Sequence, residues 1–385
     1  MRVFDLCGCR AVVLGALLVA AGPVLAFQDP TAVPAAKSER MLMSPMSAVT
    51  HVGSRTIVVG PRGHIAVSED GGNTWRQSSV PVSSDLVAVS FPSEQQGWAV
   101  GHGGVVLHSR DGGETWEKQL DGKDATRLIL DYYGKTGPGG ELPDASSYLE
   151  REQILIGHGG TQPLMAVHFV DEQVGYVAGL FNRLLQTRDG GKTWQPWQHR
   201  IDNPNELHFY SITADPQAIY LVGEQGSVWR MRHGEERFVA KPTGYDGTLF
   251  GAVSNGQTLV AFGMRGSVFR SEDAGDSWTR AKAYTQAGIT SGAFLADGAL
   301  LLGSLSGDVA RSVDKGETFK SVKLAKSMPF FGLTVTPSGK VTLVGAAGIQ
   351  NEAVKLENQK DAASALVNSS VGIGKQWEAG HGYAN

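Results

Sequence analysis

A motif of eight residues recurs five times along the chain of 385 residues. It reads Ser or Thr, any residue, Asp, two residues that include at least one Gly, any residue, Thr or Ser, and Trp or Phe. The copies are SEDGGNTW (68–75), SRDGGETW (109–116), TRDGGKTW (187–194), SEDAGDSW (271–278) and SVDKGETF (312–319). Each follows an apolar stretch, a glycine and an alternating segment that is typical of a β-strand. A weaker copy, LVGEQGSVWRMRHGEERF (221–238), keeps the frame without the aspartate. Recurrence of this kind predicts a repeat architecture.

The spacing of one glycine gives the number of repeats. A glycine ends the second predicted strand of each unit, at Gly60, Gly101, Gly179, Gly223, Gly263, Gly303 and Gly345. The successive intervals are 41, 78, 44, 40, 40 and 42 residues, so one interval contains an insertion. Periods of about 40–45 residues with four short strands are typical of β-propellers. We therefore predict an all-β fold, a seven-bladed β-propeller with four-stranded blades and a helical insertion between blades 2 and 3.

The N-terminal residues are predicted to be an export signal. Residues 1–26 carry two arginines and then an apolar run that Gly and Pro interrupt, which is short for a membrane span. We expect cleavage after Ala26, with an uncleaved anchor as the alternative. Both cysteines of the chain, Cys7 and Cys9, lie in this segment. The exported chain is therefore expected to lack disulfides and thiol chemistry.

The remaining chain divides into an arm, a ring and a tail. Because the seventh unit lacks the motif, we expect the arm to supply a strand that closes the ring. The long interval contains two stretches with amphipathic spacing, which predict two short helices joined by a bend rich in Pro and Gly. The predicted boundaries are 27–45 for the N-terminal arm, 46–350 for the propeller, 121–160 for its insertion and 351–385 for the C-terminal tail.

Composition supports this architecture and excludes several others. Glycine accounts for 50 residues, and only 19% of the chain is charged. This composition excludes a coiled coil, a charged disordered chain and a helical membrane protein. With a formal net charge of −4, the chain has no global basic field that would favour nucleic acid.

The repeated aspartates are interpreted as structural. An Asp side chain accepts hydrogen bonds from backbone N–H groups two or three residues on, and the following Gly supplies a positive φ. The closing aromatic is expected to fill the gap between blades. Five equivalent aspartates spread around a ring cannot form one catalytic site. The residues concerned are Asp70, Asp111, Asp189, Asp273 and Asp314, with Trp75, Trp116, Trp194, Trp278 and Phe319.

The motif resembles the Asp-box, or bacterial neuraminidase repeat. With this motif and the sequence segments 44–75 and 180–194, the chain is similar to the family of photosystem II stability and assembly-factor propellers. The resemblance implies a non-enzymatic, lumenal or periplasmic scaffold that helps a membrane complex to assemble, without a cofactor. The chain departs from the family by losing the motif in the fourth unit and by its long C-terminal tail.

The resemblance leaves the partner and the compartment open. The implied partner is a membrane protein or complex of the envelope, either a photosystem subunit or an efflux-type transporter. We expect a periplasmic location, or the thylakoid lumen in a photosynthetic host, and a monomer.

Propeller geometry predicts where a partner binds. The turns between second and third strands share one face with the crossovers between blades, and the insertion belongs to such a crossover. Three arginines, Arg62, Arg183 and Arg265, occupy equivalent turns and are expected to form a basic patch for an acidic segment of the partner. The alternative is three solvated turn arginines. The predicted partner-binding residues are Arg62, His102, Asn182, Arg183, Glu224 and Arg265.

Glycan processing or glycan binding is the alternative function. A sialidase needs an arginine triad, a Tyr/Glu nucleophile pair and an acidic proton donor. The Arg-Ile-Pro phrase usual in the first blade of sialidases is absent, since Gly and His follow Arg62. A lectin needs aromatic platforms, for which Phe181 and nearby tyrosines qualify. The histidines form no H-x-x-x-H pair. We predict no catalytic residue and no metal site.

Overall fold

The strands form seven separate antiparallel sheets, one for each predicted unit. The computed structural model describes residues 28–135, 142, 145–157 and 161–353. The prediction of a seven-bladed β-propeller with a helical insertion is confirmed. The predicted signal peptide, most of the bend inside the insertion and residues 354–385 of the predicted tail lie outside the described residues.

Blades 1 to 4 contain four strands each, hydrogen-bonded in chain order. Their strands are β1 (Ala48–Val52), β2 (Arg55–Val59), β3 (Ile65–Ser68) and β4 (Arg76–Gln77); β5 (Leu86–Ser90), β6 (Gly97–Gly101), β7 (Val106–Ser109) and β8 (Glu117–Leu120); β9 (Leu164–Phe169), β10 (Gly175–Gly179), β11 (Leu184–Thr187) and β12 (Gln195–Pro196); and β13 (Phe209–Ala214), β14 (Ala218–Gly223), β15 (Val228–Arg232) and β16 (Val239–Ala240).

Blades 5 and 6 also have four strands, whereas blade 7 has three among the described residues. These strands are β17 (Leu249–Ser254), β18 (Leu259–Gly263), β19 (Val268–Ser271) and β20 (Thr279–Arg280); β21 (Ile289–Phe294), β22 (Leu300–Ser304), β23 (Val309–Ser312) and β24 (Lys320–Val322); and β25 (Phe330–Val335), β26 (Lys340–Gly345) and β27 (Gly348–Ala353). The first strand of every blade lines the central channel, as the apolar runs predict.

Helices occur in the insertion and in short turns. Helix α1 spans Gly122–Lys135 and α2 spans Ala145–Gly157, close to the two stretches expected to be helical. No helix of the described residues is long and apolar enough to cross a membrane. Single 3₁₀ turns lie at Met41–Met43, Pro61–Gly63, His102–Gly104, Gln198–Arg200 and Met264–Gly266.

The core is divided into seven apolar clusters, each between two neighbouring blades. The aromatic that closes each repeated motif lies in the cluster between its own blade and the preceding one. Trp116 joins blades 1 and 2, Trp194 joins blades 2 and 3, and Trp278 joins blades 4 and 5. In blade 4, which lacks the motif, the fully buried Phe238 takes this place. Full burial of one such side chain contributes about 1.5–3 kcal/mol.

The glycine that marks the period is required by a close approach of two backbone segments. A Cβ on Gly101 would lie 2.0 Å from the carbonyl oxygen of Asp85, and one on Gly263 would lie 2.2 Å from that of Thr248. In both cases the neighbouring residue belongs to the crossover into the same blade. Any side chain here would push the crossover away, and the period glycines of blades 3, 4 and 7 meet a crossover carbonyl in the same way. In blade 6 the nearest atom to a Cβ on Gly303 is instead the Ser291 hydroxyl.

The N-terminal arm closes the ring by packing, and the expectation that it supplies a strand is wrong for the described residues. The arm runs along the outer edge of blade 1, where Ser38 N donates to Gln77 Oε1 (2.9 Å). The buried Met41 then packs between blades 1 and 7 with Val58 and Val344. The arm backbone makes isolated hydrogen bonds to blade 1, such as Ala35 N–H to the carbonyl of Val80 (3.0 Å), without forming a strand ladder.

Candidate functional site

One rim of the ring is built by the five repeated motifs, which we call the aspartate turns. In blade 1, Asp70 Oδ1 accepts from the Thr74 N–H (2.9 Å) and Oδ2 accepts from the Thr74 hydroxyl (2.6 Å). Ser68 Oγ accepts from Gly72 N–H (2.8 Å). The Thr74 hydroxyl and N–H hold the pKa of Asp70 well below its usual range, because they stabilise the charged carboxylate. The carboxylate is fully engaged in its own turn.

The same bonding recurs in the other four aspartate turns. Each carboxylate accepts from the N–H and the hydroxyl of the Thr or Ser four residues on, and no two of these carboxylates share a site. The acceptors are Asp111, Asp189, Asp273 and Asp314, and the closing Trp75 and Phe319 lie between blades like the other motif aromatics.

The opposite rim, which we call the crossover face, consists of the turns between second and third strands and the crossovers between blades. Helix α2 of the insertion lies on this face, since Arg183 of the blade 3 turn donates to Glu152 of α2 (2.6 Å). Helix α1 runs from the blade 2 turn along β12, the outermost strand of blade 3. The crossover face therefore differs from blade to blade, while the aspartate-turn rim repeats.

Four turns of the crossover face hold a residue other than glycine in the left-handed backbone region. These are Arg62 (φ 59°), Phe181 (φ 54°), Gln225 (φ 52°) and Arg265 (φ 57°), where blade 2 has Gly103 (φ 72°). A left-handed conformation costs a residue with a Cβ roughly 1–2 kcal/mol. The same conformation occurs at Lys315 (φ 60°) in an aspartate turn, so it belongs to tight turns on both rims.

The predicted partner-binding residues fall into two groups. Arg62, Arg265 and His102 are exposed on the crossover face, and Glu224 is half-buried. The Arg62 N–H donates to Asp85 Oδ1 (2.8 Å), which fixes the turn and leaves the guanidinium in solvent. Glu224 Oε2 accepts from the His208 N–H (2.9 Å), so it supports the adjoining crossover.

The expected patch of three exposed arginines needs correction, because Arg183 and Asn182 are buried. Arg183 is 3% exposed and is paired with Glu152, which is 4% exposed. Asn182 is 2% exposed, and its Oδ1 accepts from Asn203 Nδ2 (2.9 Å). Both residues anchor neighbouring segments, so Arg62, Arg183 and Arg265 do not form a carboxylate-binding triad of the kind a sialidase needs.

The insertion is fixed to the ring by an apolar contact and by polar contacts. Ile129 and Tyr133 of α1 are fully buried in the cluster between blades 2 and 3. Tyr133 Oη lies 2.8 Å from Nδ1 of His199 in the next crossover, and burial raises the pKa of Tyr133. Burial, together with the charges of Arg200 and Arg237, lowers the pKa of His199 from 6.5 to about 4. The contact with Tyr133 is therefore made by a neutral imidazole near neutral pH.

The central channel opens on the crossover face through a ring of irregular strand starts. The first strands of blades 2 to 7 each break register at their second residue, which is typical of a β-bulge. The residues at these bulges are Val87, Met165, Tyr210, Phe250, Thr290 and Phe331, and all six line the channel or its mouth. Because the same β-bulge occurs in six blades, it is a regular structural feature of the crossover face.

Sequence reasoning found the exposed turn arginines but missed the channel mouth and the burial of Arg183. The signal for the mouth was present, since the second residue of the inner strand is large in blades 3, 4, 5 and 7. No local signal identifies Glu152 as the partner of Arg183, because the two residues lie 31 positions apart. Among the described residues, no three His, Cys, Asp or Glu side chains converge as metal ligands would.

The fold and its two rims define the chain as a seven-bladed β-propeller. The aspartate-turn rim repeats from blade to blade, and the crossover face varies. The family model of the photosynthesis system II assembly factor YCF48 matches residues 47–125 and 155–239. The structure of YCF48 bound to a D1 peptide superposes with a TM-score of 0.59 at 16% identity, covering 84% of this chain and 100% of that one. YCF48 from Cyanidioschyzon merolae superposes with a TM-score of 0.59 at 16% identity, covering 81% of this chain and 96% of that one.

More distant propellers share the fold alone. The WD40 propeller domain of Doa1 superposes with a TM-score of 0.57 at 10% identity, covering 86% of this chain and 98% of that one. No curated protein matches the chain significantly. The YCF48 family model matches blades 1 to 4, so the chain is similar to photosystem II assembly-factor-like propellers over those four blades.

Proposed function

We propose that the protein is an exported, non-enzymatic scaffold that binds a membrane protein during assembly of an envelope complex. Its location would be the periplasm, or the thylakoid lumen in a photosynthetic host. The match of blades 1 to 4 to the YCF48 family model supports the assembly role, and the structure of YCF48 bound to a D1 peptide is that of a similar propeller that binds a peptide. The partner class is a photosystem subunit or an efflux-type transporter.

The observation that carries the proposal is the contrast between the two rims. On the aspartate-turn rim, the repeated carboxylates accept hydrogen bonds within their own turns. On the crossover face, the side chains of Arg62 and Arg265 are exposed on turns whose backbone is fixed. An exposed guanidinium on a rigid turn suits contact with a carboxylate of a partner.

Site-specific photocrosslinking in the native host tests the proposal. A photoreactive residue replaces Arg127, exposed on α1, or Gln95, exposed on the aspartate-turn rim as a control. We expect position 127 to give an adduct that mass spectrometry identifies as a membrane protein or its complex, and position 95 to give none. Adducts from position 95 alone, or from neither position, would contradict the proposal.

Charge reversal then tests the arginines themselves. The double variant Arg62→Glu/Arg265→Glu is expected to lower capture of the partner at least tenfold, with the melting temperature unchanged because both side chains are in solvent. The matched control is Arg110→Glu/Arg188→Glu, which changes the net charge equally on the opposite rim, where these side chains are 62% and 60% exposed. Equal capture by the two double variants would show that the arginines do not bind the partner.

A further inference from the structure

Blade 7 differs from the other six blades at its outer strand. In blades 1 to 6 the third strand lies between the second and the fourth, and every residue of β3, β7 and β11 is buried. In blade 7 the third strand, β27, pairs with β26 alone among the described residues. Residues 349–352 of β27 are half-buried. The outer edge of β27 is therefore available for pairing with a further strand.

The N-terminal arm reaches β27 at its first residues. A Cβ on Gly348 would lie 2.0 Å from the carbonyl oxygen of Leu42, and Leu42 packs with Ile349 in the cluster between blades 7 and 1. From there the strand runs to the aspartate-turn rim, where Asn351 Nδ2 donates to the carbonyl of Gly72 (2.9 Å). These contacts with the arm lie at the start of β27, so its later residues remain accessible to another segment.

The cluster between blades 6 and 7 lacks an aromatic side chain that the other six clusters share. In those six, an aromatic residue comes from the segment that joins the third and fourth strands of one blade. These residues are Trp75, Trp116, Trp194, Phe238, Trp278 and Phe319.

The outer side of this cluster is correspondingly less covered. Among the described residues it contains Phe330 of a first strand, but no aromatic from a segment between third and fourth strands. Val322 and Leu324 at its outer side are half-buried, whereas Val80, at the equivalent position of Leu324 in blade 1, is 4% exposed. The gap between blades 6 and 7 therefore has room for one more large apolar side chain.

The chain that follows the fourth strand of blade 6 is bonded to blade 7 by a side chain, where another boundary uses the backbone. Between blades 1 and 2, the N–H of Trp116 donates to the carbonyl of Ser79, which follows the fourth strand of blade 1 (3.0 Å). Between blades 6 and 7, the N–H of Ala325 donates to Oε1 of Glu352 (3.1 Å). The backbone segment that carries the aromatic residue at the first boundary has no counterpart at the second among the described residues.

We infer that the chain's own C-terminal tail, residues 354–385, completes blade 7 by pairing with β27 and placing Trp377 between blades 6 and 7. Strand β27 ends at Ala353 on the aspartate-turn rim, where the third strand of every other blade leads into its fourth. The tail therefore begins at the edge that it would cover, and its attachment to that edge gives it a high effective concentration over a separate chain.

The composition of the tail supplies the missing side chain. Its two aromatic residues are Trp377 and Tyr383, and Trp is the residue at this position in four of the other six clusters. The connection from Ala353 to Trp377 is longer than the aspartate turns, but the entropic cost of closing a loop rises only with the logarithm of its length. Trp377 is therefore assigned to the gap.

Photocrosslinking within the purified full-length protein tests where the tail lies. The photoreactive p-benzoylphenylalanine replaces Leu324 beside the gap or, as a control, the exposed Ala283 at the equivalent position between blades 5 and 6. Trypsin cleaves after Lys375 and releases residues 376–385, which contain Trp377. We expect this peptide to be crosslinked to position 324 in protein of monomer mass, and not to position 283.

Hydrogen–deuterium exchange of full-length variants tests the role of Trp377. In Trp377→Ser we expect the amides of β27 to exchange about tenfold faster than in the parent protein and the melting temperature to fall by at least about 3 °C. Trp377→Phe is expected to restore both values, because an aromatic ring again fills the gap. Tyr383→Ser, which alters the other aromatic residue of the tail, is the matched control and is expected to behave like the parent protein.

Several outcomes of these experiments would overturn the inference. One is the absence of tail peptides at position 324, or equal yields at positions 324 and 283. A crosslink from position 324 to the tail of a second copy, seen at dimer mass, would identify another copy of the chain as the occupant. In the native host, a crosslink from position 324 to a different protein in place of the tail would identify a strand of a partner. Unchanged exchange of β27 in Trp377→Ser, or an equal change in Tyr383→Ser, would contradict the assignment of Trp377.

Discussion

The two rims of the ring are built from the same repeats but use their residues differently. On the aspartate-turn rim, five motifs place equivalent side chains in equivalent hydrogen bonds, and every carboxylate is satisfied within its own turn. On the crossover face, equivalent turns carry Arg, His, Phe, Gln or Leu. Repetition marks the residues that build the ring, and variation among equivalent positions marks the residues available for a partner.

The largest expected effect comes from the residues that attach the insertion to the crossover face. Glu152→Ala leaves the Arg183 guanidinium buried without its partner, and we expect a loss of about 3–5 kcal/mol in the free energy of unfolding. Denaturant unfolding measures this change. The control Glu152→Leu/Arg183→Met removes both charges and is expected to lose much less; an equal loss in both variants would show that the pair does not anchor α2.

On the opposite rim the effect of a single change is smaller, because each turn is one of five. Asp111→Ala removes the acceptor of the Thr115 N–H (2.9 Å) and hydroxyl (2.6 Å), and we expect a loss of about 2 kcal/mol. Gln95→Ala on the same rim is the control and is expected to stay within about 0.5 kcal/mol. Partner capture by Asp111→Ala should match that of the parent protein at a temperature where both are folded.

The contact between Tyr133 and His199 makes the attachment of the insertion sensitive to acid. The folded pKa of His199 is lowered to about 4, so between pH 6.5 and 4 the unfolded chain binds a proton that the folded chain does not. Stability from this contact is therefore present at neutral pH and is lost as the pH falls through that range. Because the His199 side chain is only partly buried, we expect a loss of roughly 1–2 kcal/mol.

Thermal unfolding of His199→Gln at several pH values measures this contribution. The variant is expected to show a smaller decrease in melting temperature between pH 6.5 and 4 than the parent protein. The exposed His102→Gln serves as control and should follow the parent curve. Parallel curves for all three proteins would rule out a role for His199.

The smallest effect on stability is expected for substitutions in the left-handed turns. These variants distinguish a role of the turn residue in folding from a role in binding. Arg265→Gly relieves a left-handed residue, and we expect stability to change by about 0.5 kcal/mol or less, toward a more stable protein. Lys315→Gly is the matched control, since Lys315 (φ 60°) is a charged residue in the same conformation within an aspartate turn. We expect capture of the partner to fall only for Arg265→Gly; equal capture would remove the functional reason for the strain.

The seven-bladed ring could be predicted from the sequence because the residues that it requires are local and recur from blade to blade. Gly101 and four of its equivalents recur since a backbone carbonyl occupies the space of a side chain, and Asp70 recurs since its turn needs an acceptor at that position. Two helices in the insertion were likewise predicted from apolar spacing. Each of these features can be recognised within about ten residues of chain.

The features that the sequence did not reveal depend on contacts between distant segments. Arg183 looked like its counterparts Arg62 and Arg265, and only the packing of α2 against the ring shows that it is buried. The arm was expected to pair as a strand, but it packs through Met41 between two blades whose surfaces the sequence does not define. The bulges at the channel mouth come from six separate strands, and their arrangement is visible only when the ring is closed.

Hydrogen–deuterium exchange of the protein bound to its membrane complex tests the central claim most directly, since it reports on both rims in one experiment. We expect slower exchange in the crossover-face turns around Arg62 and Arg265 and in α1 and α2, with unchanged exchange in the turns around Asp70, Asp111 and Asp189. Protection confined to those aspartate turns, with the crossover face exchanging as in the free protein, would contradict the account.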